Sequence, residues 1–351
     1  MKTEKNGMRW TAVGAIIAGA TAALLVVPCA RIPSGSDFAV SYDAGMRLRT
    51  GHALALALYD SRAYPPHLPF LRAPWQALEY LPLTWLPFSA AFLLWSALNL
   101  ALVLAAFWML RTRLAAMSPS AWLTTASFLA LPLAWMVKSG HDIGVFVFLT
   151  TLALSAIKRG HDERAGILLG LASMGLHLLL PALLFLAWRR RWRVLWSVVA
   201  TGTFLFALST AVAGPGWIQA CWRAQTVAGA VYYDPLTVHG LLTALGAAHW
   251  AVPVLAAGLV LAFAAVRELR DDRAVAWLMV GAVIFNWHAF GYDYLAALPA
   301  LIHPRAFAGL RWPVPHRLLS LLAGRGRRPA LSEQCQQLVH EARADRSKGY
   351  L

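Results

Sequence analysis

Residues 158–193 read KRGHDERAGILLGLASMGLHLLLPALLFLAWRRRWR, and this stretch decides how the chain is arranged in a membrane. Its apolar part, 165–188, is long enough for one helix to cross the hydrocarbon core, which needs about 20 residues. A single crossing, however, would put one of the two flanking basic clusters outside, against the usual enrichment of Lys and Arg on the cytoplasmic side. We therefore predict a helical hairpin broken between Gly175 and Pro181, with a single span as the alternative.

Apolar runs recur on both sides of this stretch. They predict membrane helices at 10–28, 86–110, 120–137, 142–157, 194–213, 238–266, 274–290 and 293–303, with 238–266 divided near His249 and Pro253. The first run is longer than the apolar core of a signal peptide, so we interpret it as a retained helix. The predicted fold class is all-α, a polytopic membrane protein with a bundle of roughly 9–11 transmembrane or half-membrane helices.

The composition excludes a water-soluble enzyme. Hydrophobic residues make up 59% of the 351 residues and charged residues only 13%, whereas soluble domains carry about 25% charged residues. The formal net charge of +15 comes from Lys and Arg that cluster at the ends of apolar runs, so the predicted partner is the lipid bilayer and no nucleic acid is expected. The three cysteines are far apart, and the sequence predicts neither a metal site nor a cofactor.

The basic clusters also predict the orientation of the chain. With a cytoplasmic N-terminus and the hairpin, residues 29–85 form the first extracytoplasmic loop, 1–304 the membrane domain, and 305–351 a basic cytoplasmic tail. Polar residues from distant segments then meet on the extracytoplasmic side: Asp37, Tyr42, Asp43, Tyr64, His67, His141, Asp142, His288, Tyr292 and Asp293. We predict that they form a catalytic and substrate-binding site at that membrane surface.

Three ionisable residues each allow two interpretations. Asp37 follows the first membrane helix closely, so its carboxylate can act as a general base or bind hydroxyl groups; alternatively, Ser36 and Asp37 cap a helix. Asp142 either belongs to the site or stabilises the start of the next helix. His177, at the proposed hairpin turn, is a functional candidate because ionisable residues are rare at membrane depth, or else a neutral side chain hydrogen-bonded to a carbonyl.

Basic residues on the extracytoplasmic side suggest an anionic ligand. Arg47 and Arg49 lie in the first loop, with Arg62 and Arg72 later in the same loop, and Lys138 lies where the third predicted helix ends. A lipid phosphate at the interface suits such cations, with solvated loop charges as the alternative. Near the other end of the chain, Tyr292 and Asp293 can orient a sugar or a catalytic group, although a belt of interfacial aromatic residues accounts for Tyr292 alone.

Several motifs, taken in order, resemble glycosyltransferase family 87. They are Asp37-Phe-Ala-Val-Ser-Tyr42, Gly51, Leu58-Tyr59-Asp60, Tyr64-Pro65-Pro66, the set Pro82-Leu83, Leu86-Pro87, Leu94-Trp95 and Leu98-Asn99, then Gly140-His141-Asp142, Ala165-Gly166 with Gly170-Leu171, and Tyr292-Asp293. Each motif is weak alone, and their common order along the chain carries the resemblance.

This resemblance implies a GT-C-like membrane glycosyltransferase in the inner (plasma) membrane, with an extracytoplasmic active site. It implies a polyprenyl-phosphate sugar donor, with mannose as the sugar, and a glycolipid or glycan acceptor. Asp37 matches the family's catalytic carboxylate, whereas His141 and the region of His177 stand where the family has Gln and Lys. A transporter or flippase of a lipid-linked glycan, and a catalytically inactive family relative, are the alternatives.

Overall fold

The computed structural model describes residues 35–51, 59, 70–114, 119–228, 237–285 and 291–301. All regular secondary structure in these residues is helical, which confirms the predicted all-α class for this part of the chain. The predicted first helix at 10–28 and the basic tail from 305 onward lie outside the described residues.

The described chain consists of short and long helices joined by turns. The α-helices are α1 (Ser36–Arg49), α2 (Pro74–Tyr80), α3 (Phe88–Met109), α4 (Arg111–Leu114), α5 (Pro119–Ser139), α6 (Ile143–Arg159), α7 (Asp162–Leu171), α8 (Leu176–Trp188), α9 (Trp192–Ala213), α10 (Trp217–Ala228), α11 (Val238–Ala244), α12 (Ala251–Val266), α13 (Asp271–Ile284) and α14 (Leu298–Leu301). Turns of 3₁₀ helix occupy Leu81–Trp85, Ala172–Gly175, Ala248–Trp250 and Gly291–Ala297.

The long apolar helices identify a multi-pass membrane protein. Within the described ranges, four helical segments are long and apolar enough to cross a membrane: Phe88–Met109, Asp162–Trp188, Trp192–Ala213 and Ala248–Val266. Large apolar side chains on them are exposed, such as Trp196 and Val260. A soluble protein rarely exposes such surfaces, whereas lipid covers them in a bilayer. The larger number of membrane helices stays a prediction.

The observed helices follow most of the predicted boundaries. The predicted runs 86–110, 142–157 and 194–213 correspond to α3, α6 and α9 within two residues at each end. The predicted division of 238–266 is also confirmed, because a 3₁₀ turn at Ala248–Trp250 separates α11 from α12. Two predictions differ, since α13 ends at Ile284 and the last run begins as a 3₁₀ turn rather than as an α-helix.

The segment Asp162–Trp188 folds back on itself, which confirms the hairpin. As one straight helix its ends would be about 40 Å apart, yet Arg191 Nη2 lies 2.5 Å from Asp162 Oδ1. A Cβ atom on Gly166 would collide with the Val194 carbonyl oxygen, so the backbones of α7 and α9 pack closely together near the start of both helices. The chain therefore rises along α7, turns at Ala172–Gly175 and returns along α8. Its length alone would have suggested a single span.

The hairpin defines two ends of the helix bundle. At the basic end, Arg191 and Arg189 pair with Asp271, at 3.0 Å and 3.3 Å, and Arg191 pairs with Asp162. At the opposite end, which we call the site end, α6 begins at Ile143. The hairpin turn reaches this end, because a Cβ on Gly175 would lie 2.6 Å from the ring of Phe146. Between the two ends, buried apolar side chains of α3, α5, α6, α8 and α13 form the core.

Candidate active site

Polar residues from five separate segments meet at the site end. They are Asp37 in the first turn of α1, Arg72 just before α2, His141 and Asp142 just before α6, His177 in the first turn of α8, and Tyr292 with Asp293 in the last 3₁₀ turn. Six of these seven residues were predicted from the sequence as site residues, and Arg72 was noted only as a loop charge. The hairpin is what brings His177 to this end.

A buried ion pair lies at the centre of this group. Arg72 Nη1 donates a hydrogen bond to Asp142 Oδ2, and the Asp142 side chain is only 2% exposed. Burial alone would raise the pKa of Asp142, but the favourable interactions of its carboxylate, above all with the guanidinium of Arg72, outweigh burial and hold the pKa below its usual range. Burial would lower the pKa of Arg72, but Asp142, together with smaller contributions from Tyr80, Asp37 and Tyr292, outweighs burial and raises it. Both partners are therefore charged.

Asp142 does not use its side chain to cap α6. It occupies the N-cap position, yet its carboxylate makes no capping hydrogen bond. His141 takes that role, because its Nδ1 accepts the backbone N–H of Ile143 at 3.1 Å. The capping interpretation of Asp142 is therefore wrong, and the ion pair with Arg72 replaces it.

His141 is held as a neutral ring against Tyr292. The two rings are stacked with centroids 3.8 Å apart and planes inclined by 21°. Burial lowers the pKa of His141, and this effect exceeds the opposing influence of Asp142. Nδ1 contacts the Ile143 N–H and lies 3.2 Å from Asp142 Oδ1, so Nε2 is the ring nitrogen without a partner among the described residues.

Asp37 is the carboxylate that remains available. The N-cap of α1 is Gly35, and Ser36 and Asp37 lie inside the first helical turn, so the alternative that they occupy the cap position is wrong. Asp37 is half-buried, and within the described ranges its carboxylate takes part in no hydrogen bond or ion pair. Its charge nevertheless acts on Arg72, His141 and Tyr292, which places it electrostatically within the cluster.

A glycine allows α1 to approach the α5–α6 connection. Gly140 has φ of +70°, a conformation that other residues rarely adopt. A Cβ on Gly140 would lie 2.6 Å from the Cβ of Phe38, the residue after Asp37. The Gly140 carbonyl also accepts the indole N–H of Trp95 at 3.0 Å. This close approach holds His141 beside the start of α1.

Asp293 and His177 complete the group. His177 Nε2 lies 3.9 Å from Asp293 Oδ2, with Asp293 buried and His177 45% exposed. The buried carboxylate is fixed in place, whereas the imidazole is open to an incoming ligand. Among the residues that the structure describes, no three His, Cys, Asp or Glu side chains lie close enough together to hold a metal ion.

Tyr42 and Lys138 were predicted as binding residues and are not brought into this group. Tyr42 is buried, and its hydroxyl donates to the Leu86 carbonyl at 2.8 Å, which joins α1 to the start of α3. Lys138 is exposed, and no described contact joins it to the cluster. The predicted residues Tyr64, His67 and His288 lie outside the described residues.

The structure also separates the predicted cations Arg47 and Arg49 from Asp37. Ten helical residues place Arg47 about 15 Å along α1 from Asp37. Arg47 Nε pairs with Asp43 at 2.9 Å, one helical turn earlier, so Asp43, which was also predicted as a binding residue, pairs with Arg47 rather than with a residue of the cluster. Arg49 Nη1 donates to the Thr84 carbonyl at 2.5 Å. These contacts join α1 to its surroundings away from the cluster.

Glu79 is a residue of this region that the sequence analysis missed. Burial raises its pKa to about 8, with a further contribution from Asp142 that Arg72 partly offsets. Its Oε2 atom is buried and has no hydrogen-bond partner among the residues that the structure describes. The signal was present in the sequence, because Glu79 is the only acidic residue in the apolar stretch 70–88.

The raised pKa of Glu79 predicts a pH dependence of stability. The folded protein binds this proton more tightly than the unfolded chain does, so the free energy of unfolding falls as the pH rises from about 4.5 to about 8. Glu79→Gln cannot lose a proton and is expected to show a smaller fall. Thermal midpoints in one detergent at pH 5 and pH 8 measure this, with exposed Glu163→Gln as the control. Equal pH dependence in wild type and Glu79→Gln would contradict the prediction.

Comparison with known proteins identifies the family. Residues 64–289 match glycosyltransferase family 87, and this range covers more than half of the chain. Arg72, the His141–Asp142 pair and His177 fall within the match, whereas Asp37 and the Tyr292–Asp293 pair fall outside it. Neither a curated protein nor a solved structure matches the chain. The chain belongs to glycosyltransferase family 87 and is a glycosyltransferase that acts on a sugar donor and an acceptor.

Proposed function

We propose that this protein transfers a sugar, mannose, from a polyprenyl-phosphate donor to an extracytoplasmic glycolipid or glycan. The observation that carries the proposal is the Asp37 carboxylate, which has no partner among the described residues and lies in a cluster with the half-buried Arg72. A base and a phosphate-binding cation are the two groups that this transfer requires. The motifs that resemble lipid-dependent mannosyltransferases support the donor and the sugar.

In this mechanism Asp37 is the general base. Its carboxylate accepts the proton of an acceptor hydroxyl, and the hydroxyl oxygen forms a bond to the anomeric carbon of the donor sugar. The bond between that carbon and the phosphate oxygen breaks, and its electron pair leaves with the lipid phosphate. Attack from the face opposite the phosphate inverts the anomeric carbon.

Arg72 and His177 stabilise the leaving phosphate. Arg72 uses one N–H group for Asp142, and its remaining N–H groups have no acceptor in the described part of the chain. They can bind phosphate oxygens on which negative charge develops. His177 is exposed beside Asp293 and can donate a second hydrogen bond. Arg47 and Arg49 are too far along α1 to share this task.

Asp293, Tyr292 and His141 form the remaining wall of the site. The Nε2 atom of His141 and the Asp293 carboxylate offer hydrogen-bonding groups for sugar hydroxyls. The stacked rings of His141 and Tyr292 present a flat surface against which a sugar ring can pack. We assign these residues to sugar binding rather than to the chemical step.

The donor class is tested with purified protein. Supplied with mannosyl polyprenyl phosphate and a lipid extract from the host, the protein is expected to form a mannosylated product that mass spectrometry detects. GDP-mannose in place of the lipid donor is expected to give none. Product from the nucleotide sugar alone would contradict the proposal, because a nucleotide donor needs no site at the lipid interface.

The orientation is tested with single cysteines. Arg193→Cys and Arg270→Cys, in a chain without Cys29, Cys221 and Cys335, are expected to resist a membrane-impermeant thiol reagent in intact cells. The reason is that the basic end faces the cytoplasm by the enrichment of Lys and Arg on that side.

Gln225→Cys is the control for the orientation, because Gln225 is exposed at the site end, where its side chain lies 3.5 Å from the Leu71 carbonyl. It should be labelled in intact cells. Labelling of both basic-end cysteines without labelling at Gln225 would place the proposed active site in the cytoplasm and refute the extracytoplasmic assignment.

A further inference from the structure

The basic end contains a cavity that the proposed reaction does not use. It has a volume of about 570 Å³ and lies between the α6–α7 turn, the α8–α9 turn and the start of α13. This volume is within the range of ordinary ligand pockets. The cavity is at the opposite end of the bundle from Asp37.

The lining of this cavity is positively charged beyond its internal ion pairs. Four cationic side chains and two carboxylates line it: Lys158, Arg189, Arg191, Arg270, Asp271 and Asp272. Asp271 already pairs with two of the arginines, and Asp272 lies 3.5 Å from Arg270 Nε. Lys158 has no acidic partner in the ranges that the structure describes. Positive charge therefore remains for an anion.

The arginine donors are held in position before any ligand arrives. Arg189 Nη2 donates to the Leu269 carbonyl at 2.7 Å, and Arg191 bridges Asp162 and Asp271. Arg191 Nε is buried and has no acceptor among the described residues. Fixed guanidinium groups lose little side-chain freedom when they bind a phosphate.

Two tryptophans place the cavity at the depth of lipid headgroups. Trp188 and Trp192 flank the arginine cluster in sequence and are 57% and 55% exposed. Tryptophan prefers the boundary between the hydrocarbon core and water, and α8 and α9 enter the apolar part of the bundle at these residues. Basic pockets between helices at this depth suit anionic headgroups.

We propose that this cavity binds a phosphate group, with the headgroup of an anionic phospholipid as its source. A soluble phosphate shares the same chemistry and is distinguished by the test. The proposal does not depend on the sugar-transfer reaction, because none of its residues lies at the site end.

The test measures lipid binding to the purified full-length protein by native mass spectrometry. Phosphatidylglycerol, phosphatidylcholine and inorganic phosphate are titrated separately against wild type and against Lys158→Gln/Arg270→Gln. This variant spares Arg189 and Arg191, which hold the hairpin. Arg164→Gln/Arg193→Gln is the matched control, since it removes two exposed charges of the same end that do not line the cavity.

We expect phosphatidylglycerol to bind wild type in preference to phosphatidylcholine, and the cavity variant to bind it roughly 30-fold more weakly, from about 1 kcal/mol for each cation removed. The control variant should stay within about twofold of wild type. Binding of phosphatidylglycerol without inorganic phosphate supports the lipid source, and binding of inorganic phosphate at the same residues assigns a soluble source. Unchanged binding in the cavity variant, or equal loss in the control, overturns the proposal.

Asp37→Asn separates the lipid-binding proposal from the sugar-transfer proposal, because this variant should lose sugar transfer and keep lipid binding.

Discussion

Asp37→Asn is expected to lower the rate of sugar transfer by about a hundredfold to ten-thousandfold, the contribution of a positioned general base. The amide has nearly the shape of the carboxylate and cannot accept the hydroxyl proton. Because Asp37 has no hydrogen bond or ion pair within the described ranges, the substitution should leave the yield and the thermal midpoint of the purified protein unchanged. Product formation from lipid-linked mannose, followed by mass spectrometry, is the measurement.

Asp43→Asn is the matched control for this prediction. It removes a carboxylate of the same helix that pairs with Arg47 rather than joining the cluster. We expect its transfer rate to stay within a few fold of wild type. If Asp37→Asn keeps its activity, Asp37 is not the base, and family membership alone would then support the activity.

Breaking the buried ion pair is the second prediction with a large expected effect. Arg72→Met leaves the Asp142 carboxylate buried without its partner, which costs about 3 kcal/mol of folding free energy. We take the low end of the range for buried ion pairs because the Arg72 side chain is 20% exposed. The thermal midpoint of the variant in detergent should therefore fall clearly. Transfer activity should be lost as well.

The double variant Arg72→Met/Asp142→Asn separates structure from catalysis. It removes both charges, so the thermal midpoint should return most of the way to the wild-type value. Transfer activity should stay lost, since no guanidinium remains to bind the leaving phosphate. A double variant that is both stable and active would show that the pair only supports the fold.

The sequence predicted the helices well because their ends carry the strongest physical signal. A charged side chain is costly in hydrocarbon, so basic residues mark where apolar helices stop. The same argument predicted that the segment containing Gly175 and Pro181 turns back. The ion pair between Arg191 and Asp162 confirms it.

The partners of the charged residues were harder to predict. In the sequence, Arg47, Arg49 and Arg72 look alike, as cations of one loop. Residues 36–49 instead form a helix, which carries the first two away from Asp37. Arg72 pairs with a carboxylate 70 residues further along the chain. Glu79 was overlooked because its burial depends on neighbours that are distant in sequence.

What the sequence by itself determined is therefore the helical class, the positions of the helices, the hairpin and the family, since local hydrophobicity and charge encode them. Only the tertiary structure decided which polar groups meet. It placed His177 beside Asp293, stacked His141 on Tyr292, and left Asp37 available while Asp142 became half of an ion pair. The physical reason is that desolvation of apolar segments acts residue by residue, whereas an ion pair or a ring stack requires two distant backbones to approach within a few ångströms.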